Sequence, residues 1–255
     1  MILVQKERFK ILKEKIIDAP TFVYSILDNH IKGTVFVDSA NYESMLIKTN
    51  SGLYYATGQP SELLLNSIVE IYEQSVNQEK RFTLFSNDTI LNQEIEKRLN
   101  SKVKKIIRYA FTFDFTYYKN IERNIVSEYD VKSINKQLIK QCLEFNEDYY
   151  NEYWDSTENF LQNGIGLCVM DKEKIISEAV SIFKSQKYAE VDIITDSNYR
   201  GKGLASIIAE RFIDYCISHN IEPRWDCDID NIASINLGSK LGFINPEEYT
   251  IYTKI

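Results

Sequence analysis

Apolar residues along this chain fall into two spacings, helical and alternating, and their succession predicts a mixed α/β architecture. Residues 5–17 and 20–31 carry helical spacing, the second run starting after Ala19-Pro20. Short β-rich runs follow at Thr34–Val37, Ser44–Lys48 and Leu53–Thr57. The last two are joined by Thr49-Asn50-Ser51-Gly52, a sequence that favours a hairpin turn. Leu64, Leu65, Ile68 and Ile71 share one side of a helix expected over 61–76, with Ser61 as its N-cap. A strand at 81–85, a helix near 88–99 and an aromatic strand at 108–116 complete a first half. After a linker near Lys119–Arg123, helices are expected at 132–151 and 156–162. Strands at 166–170 and 175–184 turn through Asp171-Lys172-Glu173, and a strand at 188–195 follows. Leu204, Ile207, Ile208, Phe212 and Tyr215 give a helix over 203–219 an apolar face for a sheet. A strand at 224–228, a helix at 232–241 and a last strand at 249–254 close the chain. The pattern divides into domains at 1–122 and 123–255.

One stretch carries more chemistry than periodicity. Asp192–Ser206 reads as a strand end, a polar turn holding Gly201 and Gly203, and a helix start. The glycines let the backbone turn tightly and approach a ligand with no Cβ in the way. The following helix aims its first amides and its positive dipole end at the turn, and Arg200 and Lys202 add cationic side chains. Together these form an anion cradle suited to a pyrophosphate. A dinucleotide fingerprint needs a third glycine where Ser206 stands, and GKGL lacks the Gly-Lys-Ser/Thr of a Walker loop.

The turn resembles the Q/R-x-x-G-x-G/A loop of the GNAT superfamily of acyl-CoA transferases. Asn198, Gly201 and Gly203 fall on its spacing, with Asn198 in place of the usual Gln or Arg. Downstream, PRWDCDIDNIASINLGSKLGF places Asn231, Ser234, Leu241, Gly242 and Phe243 where such proteins carry N-x-x-A/S and L-G-F. The residues agree independently: Asn231 is a good N-cap, and Gly242 stands where a helix C-terminus favours glycine. The resemblance covers about residues 125–255 and implies a GNAT fold with a mixed, mostly antiparallel sheet flanked by helices. The first half is similar to a degenerate GNAT unit without a glycine loop, so no cofactor is expected there. Together with PRWDCD, it looks like a tandem branch that includes proteins similar to zwittermicin A self-resistance acetyltransferases.

What the resemblance implies is transfer of an acetyl group from acetyl-CoA to a primary amine of a small molecule, by direct attack in a ternary complex. The backbone of Ile193, Ile194 and Thr195 would hold the pantetheine. Asn198, Arg200, Gly201, Lys202, Gly203, Leu204, Ala205 and Ser206 would hold the pyrophosphate, with Asn231 and Ser234 completing the cofactor set. An amine must lose a proton before it attacks. Glu190 and Asp192, which share a strand face, are the candidate bases, with Glu190 the first choice; they also fit a surface salt bridge. Many GNATs place a Tyr acid seven residues after the motif Asn, and here that position is Gly238. Ser234 or water would then serve the leaving thiolate. The acidic, aromatic stretch Glu144–Glu158 suits a cationic amine, but a solvated helix face with its apolar side packed is the favoured reading of it. The alternative reading is an acyl-CoA-binding regulatory protein with a catalytically inactive GNAT domain.

Composition narrows the partners. Thirty Lys and Arg against 37 Asp and Glu give a net charge of −7, which disfavours nucleic acid as a partner. No apolar run is long enough to span a bilayer, and the N-terminus soon becomes charged without a cleavage site, so a cytoplasmic location with no membrane partner is expected. Cys142, Cys168, Cys216 and Cys227 lack zinc-like spacing, and two histidines are too few for a His-based metal site, so no metal is expected. Cys227 has no His near it in sequence and reads as packing. His219 at a helix end complements the dipole. The strand at 108–116 pairs the two halves or mediates a homodimer, and the sequence leaves both open.

Overall fold

A computed structural model of the chain describes residues 1–39, 41–123 and 129–255. The start of the second half at 124–128 therefore lies outside the described residues. Two compact units emerge, Met1–Tyr109 with Glu247–Ile255, and Ala110–Pro246. The cut falls at Tyr109/Ala110 rather than at 122/123, and the last residues return to the first unit.

The first unit contains β1 (Ile2–Leu3), α1 (Phe9–Lys15), α2 (Thr21–Leu27), β2 (Gly33–Val37), β3 (Ser44–Thr49), β4 (Leu53–Gly58), α3 (Glu62–Asn77), β5 (Thr83–Ser86), α4 (Thr89–Leu99) and most of β6 (Val103–Phe113). The expected hairpin joins β3 to β4 in antiparallel register, with Gly52 at φ 84° in the turn. β4 pairs parallel to β5, and the returning C-terminal strand pairs antiparallel to β5 through Thr250–Thr253. Ser61 accepts the Leu64 amide at 3.2 Å and starts α3, as its sequence implies. Leu64, Leu65 and Ile68 of α3 meet Leu91, Ile95 and Leu99 of α4 over Phe82, Leu84 and Tyr252. Each such side chain contributes about 1.5–3 kcal/mol on burial, enough for this half to own a core.

The second unit holds α5 (Phe115–Asn120), β7 (Asp130–Ser133), α6 (Lys136–Ile139), α7 (Glu147–Trp154), α8 (Thr157–Asn163), β8 (Gly166–Asp171), β9 (Lys174–Lys184), β10 (Tyr188–Thr195), α9 (Leu204–Ser218), β11 (Glu222–Asp228), α10 (Ile232–Lys240) and the start of β12 (Phe243–Lys254). Its strands lie in the order β11-β10-β9-β8-β7. β7 to β10 are antiparallel neighbours, and β11 joins β10 in parallel. Leu204 and Ile208 of α9 pack on Val169, Ile176 and Ala179, while Phe212 and Cys216 pack on Ile165 and Ala189.

Three sequence expectations fail, the first two for identifiable reasons. The helix expected at 132–151 is instead β7, α6 and α7. The amides of Leu143, Glu144 and Phe145 donate to the buried Glu178 carboxylate instead of continuing a helix. Asn146 then restarts the helix, accepting the amides of Asp148 and Tyr149. The strand expected at 108–116 ends at Phe113, because Asp114 accepts the Tyr117 amide at 2.9 Å and caps α5. The last strand also begins earlier than expected, at Phe243.

Gly242 ends α10 at φ 86°, and a Cβ there would lie 3.0 Å from the Asp114 carbonyl oxygen. Gly242→Ala therefore combines left-handed strain with a backbone clash and is expected to cost about 1–3 kcal/mol. Urea unfolding would show this as a lowered midpoint; an unchanged midpoint would contradict the turn geometry.

Candidate active site

The site grows from an incomplete ladder. β10 and β11 pair only through Tyr188↔Glu222, Ala189↔Pro223 and Glu190↔Arg224, yet β10 runs on to Thr195 and β11 to Asp228. β9 stays registered with β10 through Thr195, with a register shift at the Glu190/Val191 step. Asp196 donates its amide to Ile176 at 3.0 Å across that side. By strand alternation, the amides of Ile193 and Thr195 point the other way, toward the side where β11 has left off. The Ile194 amide points to β9, and Ser177 donates to the Ile194 carbonyl at 3.1 Å. Ser177 also bonds the Thr195 hydroxyl at 2.8 Å, which fixes the strand end from behind.

The glycine turn follows directly. Asp196 pairs with Lys174 at 2.6 Å and accepts the Asn198 amide at 2.9 Å, so the cation first and the backbone amide second hold its carboxyl below the usual range. Asn198 adds its side-chain amide to Asp196 at 3.2 Å. Tyr199 anchors the turn by donating to Asp171 at 2.8 Å. The Lys202 ammonium lies 4.7 Å from the Tyr199 ring, and Arg200 reaches back to the Thr195 carbonyl at 3.5 Å. Gly201 and Gly203 adopt φ of 78° and 76°, and a Cβ on either would meet nothing within 4 Å. Their need for glycine is thus backbone conformation beside an open space.

α9 starts from Gly203 with no side-chain cap and no acid in its first turn. By contrast α3 and α4, the other described helices longer than ten residues, are capped by Ser61 and Asp88. Leu204 is buried and anchors the helix, while Ala205 and Ser206 remain partly accessible. The first-turn amides of α9 therefore face the turn as an anion site.

Across the site, Asn231 caps α10 by accepting the Ser234 amide at 3.1 Å. The Trp225 indole N–H donates to Ser234 Oγ at 3.0 Å, which leaves the hydroxyl proton of Ser234 able to donate elsewhere. A Cβ on Gly238 would sit 3.0 Å from the same indole nitrogen, so the ring occupies the surface where a larger residue would begin. Glu190 lies at the last paired position and Asp192 two residues past it. Tyr149 of α7 donates to Asp192 at 3.0 Å, and burial with that carboxylate raises the phenol well above its ordinary pKa. Among the described residues no group of three or more His, Cys, Asp or Glu could hold a metal, and no helix is long and apolar enough to cross a membrane.

The sequence profile described as GNAT acetyltransferase matches residues 10–252. The chain belongs to the GNAT acetyltransferase family. It is an acyltransferase by that membership, and the family span takes in the first half as well as the second. A Bacillus subtilis (strain 168) protein described as the uncharacterized N-acetyltransferase YdfB is 39% identical over 254 residues, covering 97% of this chain and 96% of its own length. A GCN5-related N-acetyltransferase-like protein from Streptococcus suis superposes with a TM-score of 0.72 at 25% identity, covering 98% of this chain and 99% of that one. A tandem GNAT protein from the clavulanic acid biosynthesis pathway shares the fold, with a TM-score of 0.64 at 10% identity over 97% of this chain and 92% of its own.

Within this GNAT frame, sequence reasoning overlooked Tyr149, Ser177, Glu178 and Trp225. The indole was legible as part of PRWDCD, but its bond to Ser234 required the fold. Glu178 is fully buried, and burial raises its carboxyl pKa against the three amides that favour the charge. Folding therefore favours its protonated form. Its contribution is complete below the unfolded value near 4.5 and declines as pH rises through the higher folded value. Glu178→Gln should remove that slope, so wild-type stability relative to the variant should fall with rising pH in urea titrations. A parallel pH dependence of the two proteins would contradict the buried carboxyl.

Proposed function

We propose that the protein transfers an acetyl group from acetyl-CoA to a primary amine of a small molecule, by direct attack within a ternary complex. The observation that carries this reading is the parting of β10 from β11 immediately before an uncapped helix start and two left-handed glycines. Acetyl-CoA would supply the activated acyl group as a thioester. The residues fit that group: Ile193 and Thr195 offer amides along the parted edge, and Ile194 lines it. Asn198, Arg200, Gly201, Lys202 and Gly203 with the amides of Leu204, Ala205 and Ser206 would hold the pyrophosphate.

The protein's own groups then manage the protons. Asp192 would accept the amine proton, since it lies past the end of the ladder and is oriented by Tyr149. Glu190 is the other carboxylate of the same strand. Ser234, held by Asn231 and Trp225, would donate toward the leaving thiolate. Tyr149, bonded to Asp192, and Tyr153, its ring centroid 4.8 Å from that of Tyr149, suit an amine cation through charge and π faces. Membership of a tandem branch similar to zwittermicin A self-resistance enzymes, the expectation drawn from PRWDCD, would make the acceptor a small molecule. One observation favours the second reading, an acyl-CoA-binding regulatory protein without turnover: Gly238 stands where many family members carry the Tyr acid, and Trp225 blocks that surface.

Calorimetry with acetyl-CoA and a thiol-release screen over an amine panel test both readings. Micromolar binding that Gly201→Asp abolishes is expected for the wild-type protein. Asp192→Asn should lower kcat by about 10²–10⁴-fold while leaving acetyl-CoA affinity within about twofold. Absence of binding at millimolar acetyl-CoA would sink the acetyltransferase reading. Absence of binding to other acyl-CoAs as well would sink the regulatory one, and binding without thiol release on any amine would leave the regulatory one.

A further inference from the structure

We infer that the first unit carries a binding site of its own for a neutral, polyhydroxylated small molecule of the sugar class, in a cleft beside α4. The cleft measures about 430 Å³ and is lined from α4, β6 and β12, with Asn87, Thr89, Asn92, Gln93 and Thr250 supplying uncharged polar groups. That volume falls within the range of about 300–1,000 Å³ typical of small-molecule sites. Every lining residue belongs to the first unit, so the cleft shares no residue with the glycine turn or the parted edge of β10.

Polar atoms that the fold leaves unpaired gather at this cleft. Ser86 is 1% exposed and stands opposite Thr250 in the β5–β12 ladder, so the two hydroxyls share one sheet face. Leu84 and Tyr252, the next pair on that face, pack with Leu91 and Ile95, which puts the face under α4. Tyr252 reaches the Asn92 carbonyl oxygen at 3.5 Å and donates to Glu96 at 2.9 Å, fixing α4 above it. Among the described residues, Ser86 Oγ and Asn92 Oδ1 are buried without a hydrogen-bond partner. Buried polar atoms are nearly always paired. A hydroxyl and an amide oxygen left over beside one cleft point to a ligand that brings donors and acceptors of its own.

The lining decides the class of ligand. Carboxamides and hydroxyls both donate and accept, which matches a ligand hydroxyl in each of its two roles. The charged groups favour no ion. Lys105 pairs with Glu96 at 2.7 Å, and Glu96 also accepts the Tyr252 hydroxyl. Asp88 accepts the Leu91 amide at 2.7 Å, so an acid already occupies the start of α4 and disfavours a phosphate or carboxylate there. Glu248 is exposed, where water and salt screen its pull on a cation.

Amide-resolved NMR of the full chain, titrated with D-glucose, D-ribose and myo-inositol, tests the site. At least one should give saturable shifts at residues 87–93 and 250, with a Kd of about 1 mM or tighter. Ser86→Ala and Asn92→Ala should each weaken that ligand about tenfold. Ser86→Ala should also keep or raise the melting midpoint without ligand, because the lost hydroxyl bonds nothing in the fold. Glucose 6-phosphate and glucosamine, the anionic and cationic arms, should bind no tighter than glucose. Shifts that are absent or fail to saturate at about 50 mM of every neutral probe would overturn the site. Saturable binding that both variants leave unchanged would overturn it too, and a charged arm preferred by about tenfold would overturn the neutral class. Acetyl-CoA affinity should be equal in all three proteins, so failure here leaves the acetyltransferase reading standing.

Discussion

The early end of the β10–β11 ladder is the constraint on which the rest of the site depends. Parallel strands normally continue to pair while both run, because each unpaired amide in a sheet interior costs free energy. Here pairing stops at Glu190↔Arg224, and Arg224 stacks 3.6 Å over the Tyr188 ring at the closed end. The amides of Ile193 and Thr195 are thereby turned to a side that β11 does not satisfy. Backbone left in that state inside a sheet is a binding edge for an extended amide-containing chain, which is what a pantetheine arm presents.

Several groups hold that edge in place. Ser177 pins Ile194 and Thr195 from β9, and Lys174 with Asp196 fixes the entry to the glycine turn. One strand position away, Glu178 gathers the amides of residues 143–145 and so sets where α7 begins. α7 in turn delivers Tyr149 to Asp192. A buried carboxylate on β9 thus positions an aromatic helix against the candidate base on β10. The arrangement is expensive, since burial opposes the charge of Glu178, and three amide donors are what make it tolerable.

The glycine turn and the helix starts around it were the most legible part of the sequence because their physics is local. Left-handed glycines, an uncapped helix start and the Asn231 cap are each set within a few residues, and the paired motifs carried the family. The strands and helices flanking the turn followed from periodicity for the same reason. What escaped was tertiary. Residues 132–151 read as one helix because nothing local announces that their amides are claimed by Glu178, about thirty-five residues on. Asp114 looked like part of an aromatic strand until its side chain was seen to cap α5. Trp225 over Gly238 is a contact between two elements, and only the fold explains why that position stays small.

The central claim is that the parted edge of β10 and the bare start of α9 together hold acetyl-CoA, and amide hydrogen exchange tests it most directly. With saturating acetyl-CoA, exchange should slow at Ile193, Thr195 and Leu204–Ser206, while Ile194, already facing β9, changes little. Unchanged exchange at those amides, or slowing confined to other segments, would contradict the account.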